Sequence, residues 1–211
     1  NWPDGTKQWI DRVRVYEPGP NRWCDAGKLD APLAYAASGG DGRTLWFAGG
    51  TSGEVTHHAL WQVQAGGAPR LVARLDEGFV YSGGALIGGK LHVLGGSSDQ
   101  AKLETLSPRF LAIDMKTGAI TRLANYPEHG FFVGATAAVG GQIYAFGGAL
   151  WDAKEAKVAN LSAAHVYSTT TGKWSRLPPL PTANRGIMAV VLDENHPVSY
   201  THLTLPTNRE V

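Results

Sequence analysis

At 211 residues the chain is long enough to bury a sizeable core, and its 27 glycines, 12 prolines, 7 tryptophans and 7 tyrosines describe turns and short aromatic strands rather than helices. The formal net charge is +1, with the charged residues scattered singly, so neither a nucleic-acid stripe nor an acidic tail is present. One cysteine, Cys24, excludes an internal disulfide framework or thiolate metal site, and no apolar run approaches the length of a membrane span.

In chain order, Val13-Arg14-Val15-Tyr16 and Asn21-Arg22-Trp23 read as the third and fourth strands of an incomplete first unit. A full unit follows: a small-residue strand Tyr35–Ser38, a turn Gly39–Gly42, a strand Leu45–Ala48 ending on Gly49-Gly50, then a variable loop. Its third strand is His58–Val63, and its fourth ends on Arg74-Leu75. The second unit repeats this order with Tyr81–Ile87, Gly88-Gly89-Lys90, Leu91–Leu94 ending on Gly95-Gly96, Phe110–Asp114 and Arg122-Leu123. In the third stand Val133–Val139, Gly140-Gly141-Gln142, Ile143–Phe146 ending on Gly147-Gly148, His165–Tyr167 and Trp174–Leu177. Ile187–Val191 opens another unit.

The Gly-Gly pairs lie 46 and 52 residues apart. A period that long, with four strands per copy, predicts a radial stack of small sheets. Glycine at the strand end permits a sharp turn close against a neighbour, where a Cβ would collide. Tyr16 to Trp23, Ile113 to Ile120 and Tyr167 to Trp174 share a spacing of 7 that places an aromatic or apolar residue on the fourth strand, between blades.

The repeat resembles kelch. The predicted fold is all-β, a kelch-type β-propeller fragment of three complete four-stranded blades and parts of two more, with blade boundaries near 30, 76, 128 and 182. The resemblance implies an intact protein of six blades. Residues 1–196 are read as partial propeller. After Leu192 the repeat demands another apolar strand ending on Gly-Gly, and the chain instead runs Pro197 to Thr207. Val198 to Thr207 reads without mismatch from GTC TCT TAT ACA CAT CTG ACG CTG CCG ACG, the form of a transposase-type sequencing adapter. Residues 197–211 are therefore taken as a non-native tail.

The first segment is more specific. Asn1-Trp2-Pro3-Asp4-Gly5-Thr6-Lys7-Gln8-Trp9, Asp11, Val13-Arg14-Val15, Trp23, Gly27, Leu29 and Pro32-Leu33-Ala34-Tyr35 resemble the bacterial sialic-acid (N-acetylneuraminate) mutarotase family. That resemblance implies anomer interconversion of N-acetylneuraminate or a related sugar acid, no cofactor, and an exported, periplasmic protein. The family's catalytic carboxylate and arginine motif is not matched here. The alternative is a non-catalytic propeller that binds a glycan or a protein partner through the same loops.

In such a propeller the loops after Gly-Gly and those between blades open on one face, around the channel. Arg185 is the expected clamp for a substrate carboxylate, because a guanidinium grips one in bidentate fashion. Glu128 and His129 are the expected catalytic pair, an acid beside a group that titrates near neutrality. Asn184, Tyr35, Tyr81, Glu77, Asn1 and Lys7 are expected to line the sugar site. Tyr35 and Tyr81 fall six residues after Leu29 and Leu75, in matching positions. No metal site is expected: His57-His58 enter a strand, so their side chains point to opposite faces.

Overall fold

The computed structural model of the chain describes residues 8–192 and 197–200. A two-stranded sheet of β1 (Arg12–Glu17) and β2 (Arg22–Lys28) precedes three four-stranded sheets. Blade one is β3 (Ala37–Gly40), β4 (Thr44–Ala48), β5 (Ala59–Gln64) and β6 (Arg70–Arg74), each antiparallel to the next. Blade two is β7 (Gly83–Ile87), β8 (Lys90–Leu94), β9 (Phe110–Asp114) and β10 (Ile120–Arg122). Blade three needs six strands to name, because a hairpin of β13 (Ala149–Asp152) and β14 (Lys157–Asn160) is inserted after its Gly-Gly. Its sheet is β11 (Ala135–Val139), β12 (Gln142–Phe146), β15 (Ala164–Ser168) and β16 (Lys173–Arg176). The first strands adjoin one another in sequence, β3 beside β7, β7 beside β11, and β11 beside β17 (Met188–Val191), so the blades are arranged radially.

Each Gly-Gly works as its composition predicts. All six glycines have positive φ, from 58° to 90°. A Cβ on Gly49 or Gly95 would collide with the carbonyl oxygen of Phe79 or Phe131, and one on Gly147 would lie 2.6 Å from the Asn184 oxygen. The second glycine of each pair donates its N–H to that same carbonyl, Gly50 to Phe79 at 2.7 Å, Gly96 to Phe131 at 2.8 Å and Gly148 to Asn184 at 2.9 Å. Phe79 and Phe131 are fully buried beneath these contacts, each contributing roughly 1.5–3 kcal/mol by burial.

The spacing of seven also has a structural meaning: Tyr16 with Trp23, Ile113 with Ile120, and Tyr167 with Trp174 are direct cross-strand partners. Trp174 packs against Phe110 of blade two, with ring centroids 5.1 Å apart. Trp23 is 68% exposed, its ring meeting that of Tyr16 at 5.4 Å. An open groove of about 640 Å³ runs between β1 and the inner strands of blade one, lined by Val13, Val15, Leu33 and Phe47.

Two details depart from the sequence reading. Gly39 and Gly40 belong to β3 rather than to a turn, because the Asp41 carboxylate makes the turn by accepting the N–H groups of Arg43 and Thr44 at 2.9 and 2.8 Å. The loop after Gly147-Gly148 is the β13–β14 hairpin. Beyond these, Pro197–Tyr200 forms a strand, β18, paired with β17. That pairing follows from alternation alone and is indifferent to the origin of the segment. No helix among the described residues is long and apolar enough to cross a membrane.

Candidate functional site

In an antiparallel blade the second-to-third connection and the crossover to the next blade leave from the same end of the sheet. At that end, Tyr35, Tyr81, Val133 and Gly186 occupy equivalent positions, and all four have left-handed backbones, with φ of 57°, 65°, 47° and 66°. Only the last is glycine, and a β-branched valine there carries strain of order 1–3 kcal/mol. A chain of hydrogen bonds between blades holds them in place. Tyr81 N–H donates to the Tyr35 oxygen at 3.1 Å, Val133 N–H to Tyr81 at 3.1 Å, and Gly186 N–H to Val133 at 2.8 Å. The result is a continuous inner rim.

An aromatic row follows that rim. Trp9 meets Tyr35 edge-on at 6.5 Å, Tyr35 meets Tyr81 at 4.9 Å, and Tyr81 meets Phe132 at 5.0 Å. The Arg185 guanidinium closes the row, 6.0 Å from the centre of the Phe132 ring. Its Nη1 donates to Asn160 Oδ1 at 3.1 Å, and its backbone N–H donates to Asn184 Oδ1 at 2.8 Å. Tyr35 stays 49% exposed and Arg185 is exposed, so ring faces and cation are open to a ligand. Burial, with the neighbouring Tyr35, pushes the Tyr81 phenol up, so it remains protonated at neutral pH. A polar cleft of about 460 Å³ adjoins Trp9, lined also by Glu54 and Gln100.

The predicted acids Glu77 and Glu128, with Asp30 in the equivalent place, lie at this same end on the crossovers, each against the outer strands of the blade it leads into. Asp30 pairs with Arg74 at 2.6 Å. Glu77 is held by Arg109 at 3.3 Å and Arg122 at 2.8 Å, and Arg109 Nε also donates to the Gly95 oxygen at 3.1 Å. The Glu128 carboxylate faces His165 Nε2 at 3.8 Å, and His165 Nδ1 lies 3.3 Å from the Tyr126 hydroxyl. His129, the expected partner of Glu128, is exposed. The structure thus brings together Tyr35, Tyr81, Asn184 and Arg185, sets Glu77 in ion pairs with Arg109 and Arg122 of its own blade, and faces Glu128 with the imidazole of His165. Asn1 and Lys7 lie outside the described residues.

Sequence reasoning missed Phe132, Asn160 and His165. Phe132 is detectable in hindsight, because it holds the repeat position of Arg185, one residue before the left-handed one. No group of three or more His, Cys, Asp or Glu able to hold a metal ion occurs among the described residues.

His165 and His92 are both buried, and burial holds each imidazole below its ordinary value. For His165 the opposing pull of Glu128 is the smaller effect, and Arg176 adds repulsion. The unfolded chain therefore binds protons below about pH 6.5 that these folded imidazoles refuse, so stability falls as pH drops through that value. Denaturation midpoints at pH 7.5 and 5.5 should show the loss, and a His92→Phe/His165→Phe double variant should flatten it. Equal midpoints for the parent chain would contradict this assignment.

Residues 134–181, which span blade three, match the Kelch motif family. A solved structure of YjhT is similar, with a TM-score of 0.72 at 12% sequence identity, covering 85% of this chain and 65% of that one. No curated protein matches the sequence. Three four-stranded radial blades, a Gly-Gly closing each second strand, and these two matches make the chain a stretch of kelch-repeat β-propeller.

Proposed function

We propose that the protein is sugar mutarotase-like, interconverting the anomers of N-acetylneuraminate or a related sugar acid on the loop face of an exported propeller. The observation that carries this reading is the rim row of Trp9, Tyr35, Tyr81 and Phe132 closed by Arg185. Aromatic faces carry a negative quadrupole that suits the C–H faces of a sugar ring, and a planar guanidinium suits its carboxylate. Mutarotation requires a base to take the anomeric hydroxyl proton and an acid to protonate the ring oxygen, then the reverse on the other face. Glu128, with His165 and Tyr126 behind it, is assigned that transfer, and His129 stands beside it as a second candidate. The spontaneous reaction is not slow, so ~10³-fold, about 4 kcal/mol, suffices without metal or cofactor.

Kinetics on the protein test the assignment. Arg185→Lys should raise KM about tenfold with kcat little changed, since a point charge replaces a fork already oriented by Asn160. Glu128→Gln should lower kcat about a hundredfold with KM little changed. Unchanged kcat/KM in both, and in His129→Ala, would remove these residues from the reaction.

One observation favours a second reading, a non-catalytic glycan- or protein-binding propeller. The crossover acids Glu77 and Glu128 are each engaged by bases of their own blade, as a purely structural latch would be. Saturable binding of the sugar acid with no acceleration of anomer exchange would select it.

A further inference from the structure

Two departures from the repeat meet where the chain leaves blade three. One residue before the left-handed position of each crossover stand Ala34, Val80 and Phe132, and then Arg185, a cation where the other three are apolar. The other departure is the β13–β14 hairpin, whose last residue is Asn160. Arg185 Nη1 donates to Asn160 Oδ1 at 3.1 Å.

That contact is built into the backbone on both sides. Asn184 N–H donates to the Leu161 oxygen at 3.1 Å, and Leu161 N–H to the Gly148 oxygen at 2.8 Å. The residue before Arg185 is thus tied to the residue after Asn160. On its other flank, Gly186 N–H donates to the Val133 oxygen at 2.8 Å. The hairpin in turn lies against the preceding crossover, where a Cβ on Gly130 would come within 3.5 Å of Leu150.

The partner chosen is neutral. Arg74 meets Asp30, and Arg109 and Arg122 share Glu77, so crossover carboxylates cancel those charges. Arg185 instead meets an amide oxygen and the Phe132 ring, 6.0 Å from its centre. Both orient a cation without neutralising it, and the remaining guanidinium N–H groups stay free to grip an anion.

We propose that Asn160 is a positioning residue that sets the preference of the rim for anionic sugars. By holding Arg185 through a neutral amide, it leaves the full charge of the guanidinium to a ligand carboxylate. This rests on the reading of the rim as a sugar-acid site. Asn160→Asp keeps the shape and the hold on Arg185, but it cancels the charge and sets a second anion against the ligand.

N-acetylneuraminic acid and its methyl ester, which lacks the charge, test this by saturation-transfer NMR titration. The parent chain should bind the acid about tenfold more tightly than the ester. Asn160→Asp should bind the two within about twofold of each other, the acid weakened and the ester unchanged. A merely structural asparagine would shift both ligands alike. Asn160→Ala keeps the charge and loses the orientation, so it should weaken the acid about threefold and still prefer it. The proposal is overturned if Asn160→Asp retains the tenfold preference, or if Asn160→Ala binds the acid as tightly as the parent does. The alanine variant decides alone should Asn160→Asp fail to fold. Equal binding of acid and ester by the parent leaves a sugar site but overturns this role of Asn160, whereas binding of neither removes the reading of the rim as well.

Discussion

Gly95→Ala is expected to remove about 3 kcal/mol or more of stability, whereas Gly88→Ala, seven residues earlier, removes about 1 kcal/mol. Both glycines have left-handed backbones, at φ of 70° and 59°, so both substitutions carry similar backbone strain. They differ in what surrounds the new methyl group. At Gly88 nothing lies within 4 Å. At Gly95 a Cβ would collide with the carbonyl oxygen and Cβ of Phe131, and that oxygen accepts the Gly96 N–H that ties blade two to the chain entering blade three. Neither neighbour can yield, because Phe131 is fully buried. Equilibrium denaturation of the two variants separates strain from collision. Equal losses would mean that the Gly-Gly pair serves only as a turn.

Arg109→Met is expected to cost about 3 kcal/mol, and Arg122→Gln less than 1 kcal/mol, although both arginines bind the same carboxylate. The Arg109 side chain is 11% exposed and that of Glu77 is 22%, against 70% for Arg122. Removing Arg109 deprives a largely buried carboxylate of its inner partner. It also removes the donor to the Gly95 oxygen and the cation lying 5.8 Å from the centre of the Phe79 ring. Arg122 holds Glu77 from the solvent side, where screening weakens the pair. Urea midpoints compare the two. If Arg122→Gln is the more damaging, Glu77 is held from the surface and its place among sugar contacts reopens.

The parts of the fold legible in the sequence are those where physics admits one residue type. Three pairs of positive φ values at blade ends appear as glycine because the left-handed backbone disfavours a side chain and, at five of the six positions, a Cβ would collide, so the repeat could be counted directly. The rim was legible only in part. Its left-handed positions carry Tyr35, Tyr81 and Val133, held by hydrogen bonds from blade to blade, and no local pattern marks a conformation imposed by tertiary contacts. Tyr35 and Tyr81 emerged from their common spacing after a leucine, and Arg185 from its place at the start of a blade. The β13–β14 hairpin was missed because its turn carries Ala156 with φ of 48° where a glycine would have signalled it. His165 was missed as the partner of Glu128 because 37 residues separate them, and the nearer His129 drew the assignment.

The central claim is that the rim acts on a sugar acid, and the exchange of anomers measures it directly. Pure α-N-acetylneuraminate is mixed with the protein and the appearance of the β anomer is followed by proton NMR. The account predicts equilibration about a thousandfold faster than in buffer at saturating protein, equivalent to about 4 kcal/mol, and its loss with Glu128→Gln. Equilibration at the buffer rate, for N-acetylneuraminate and for other sialic and uronic acids alike, would contradict it.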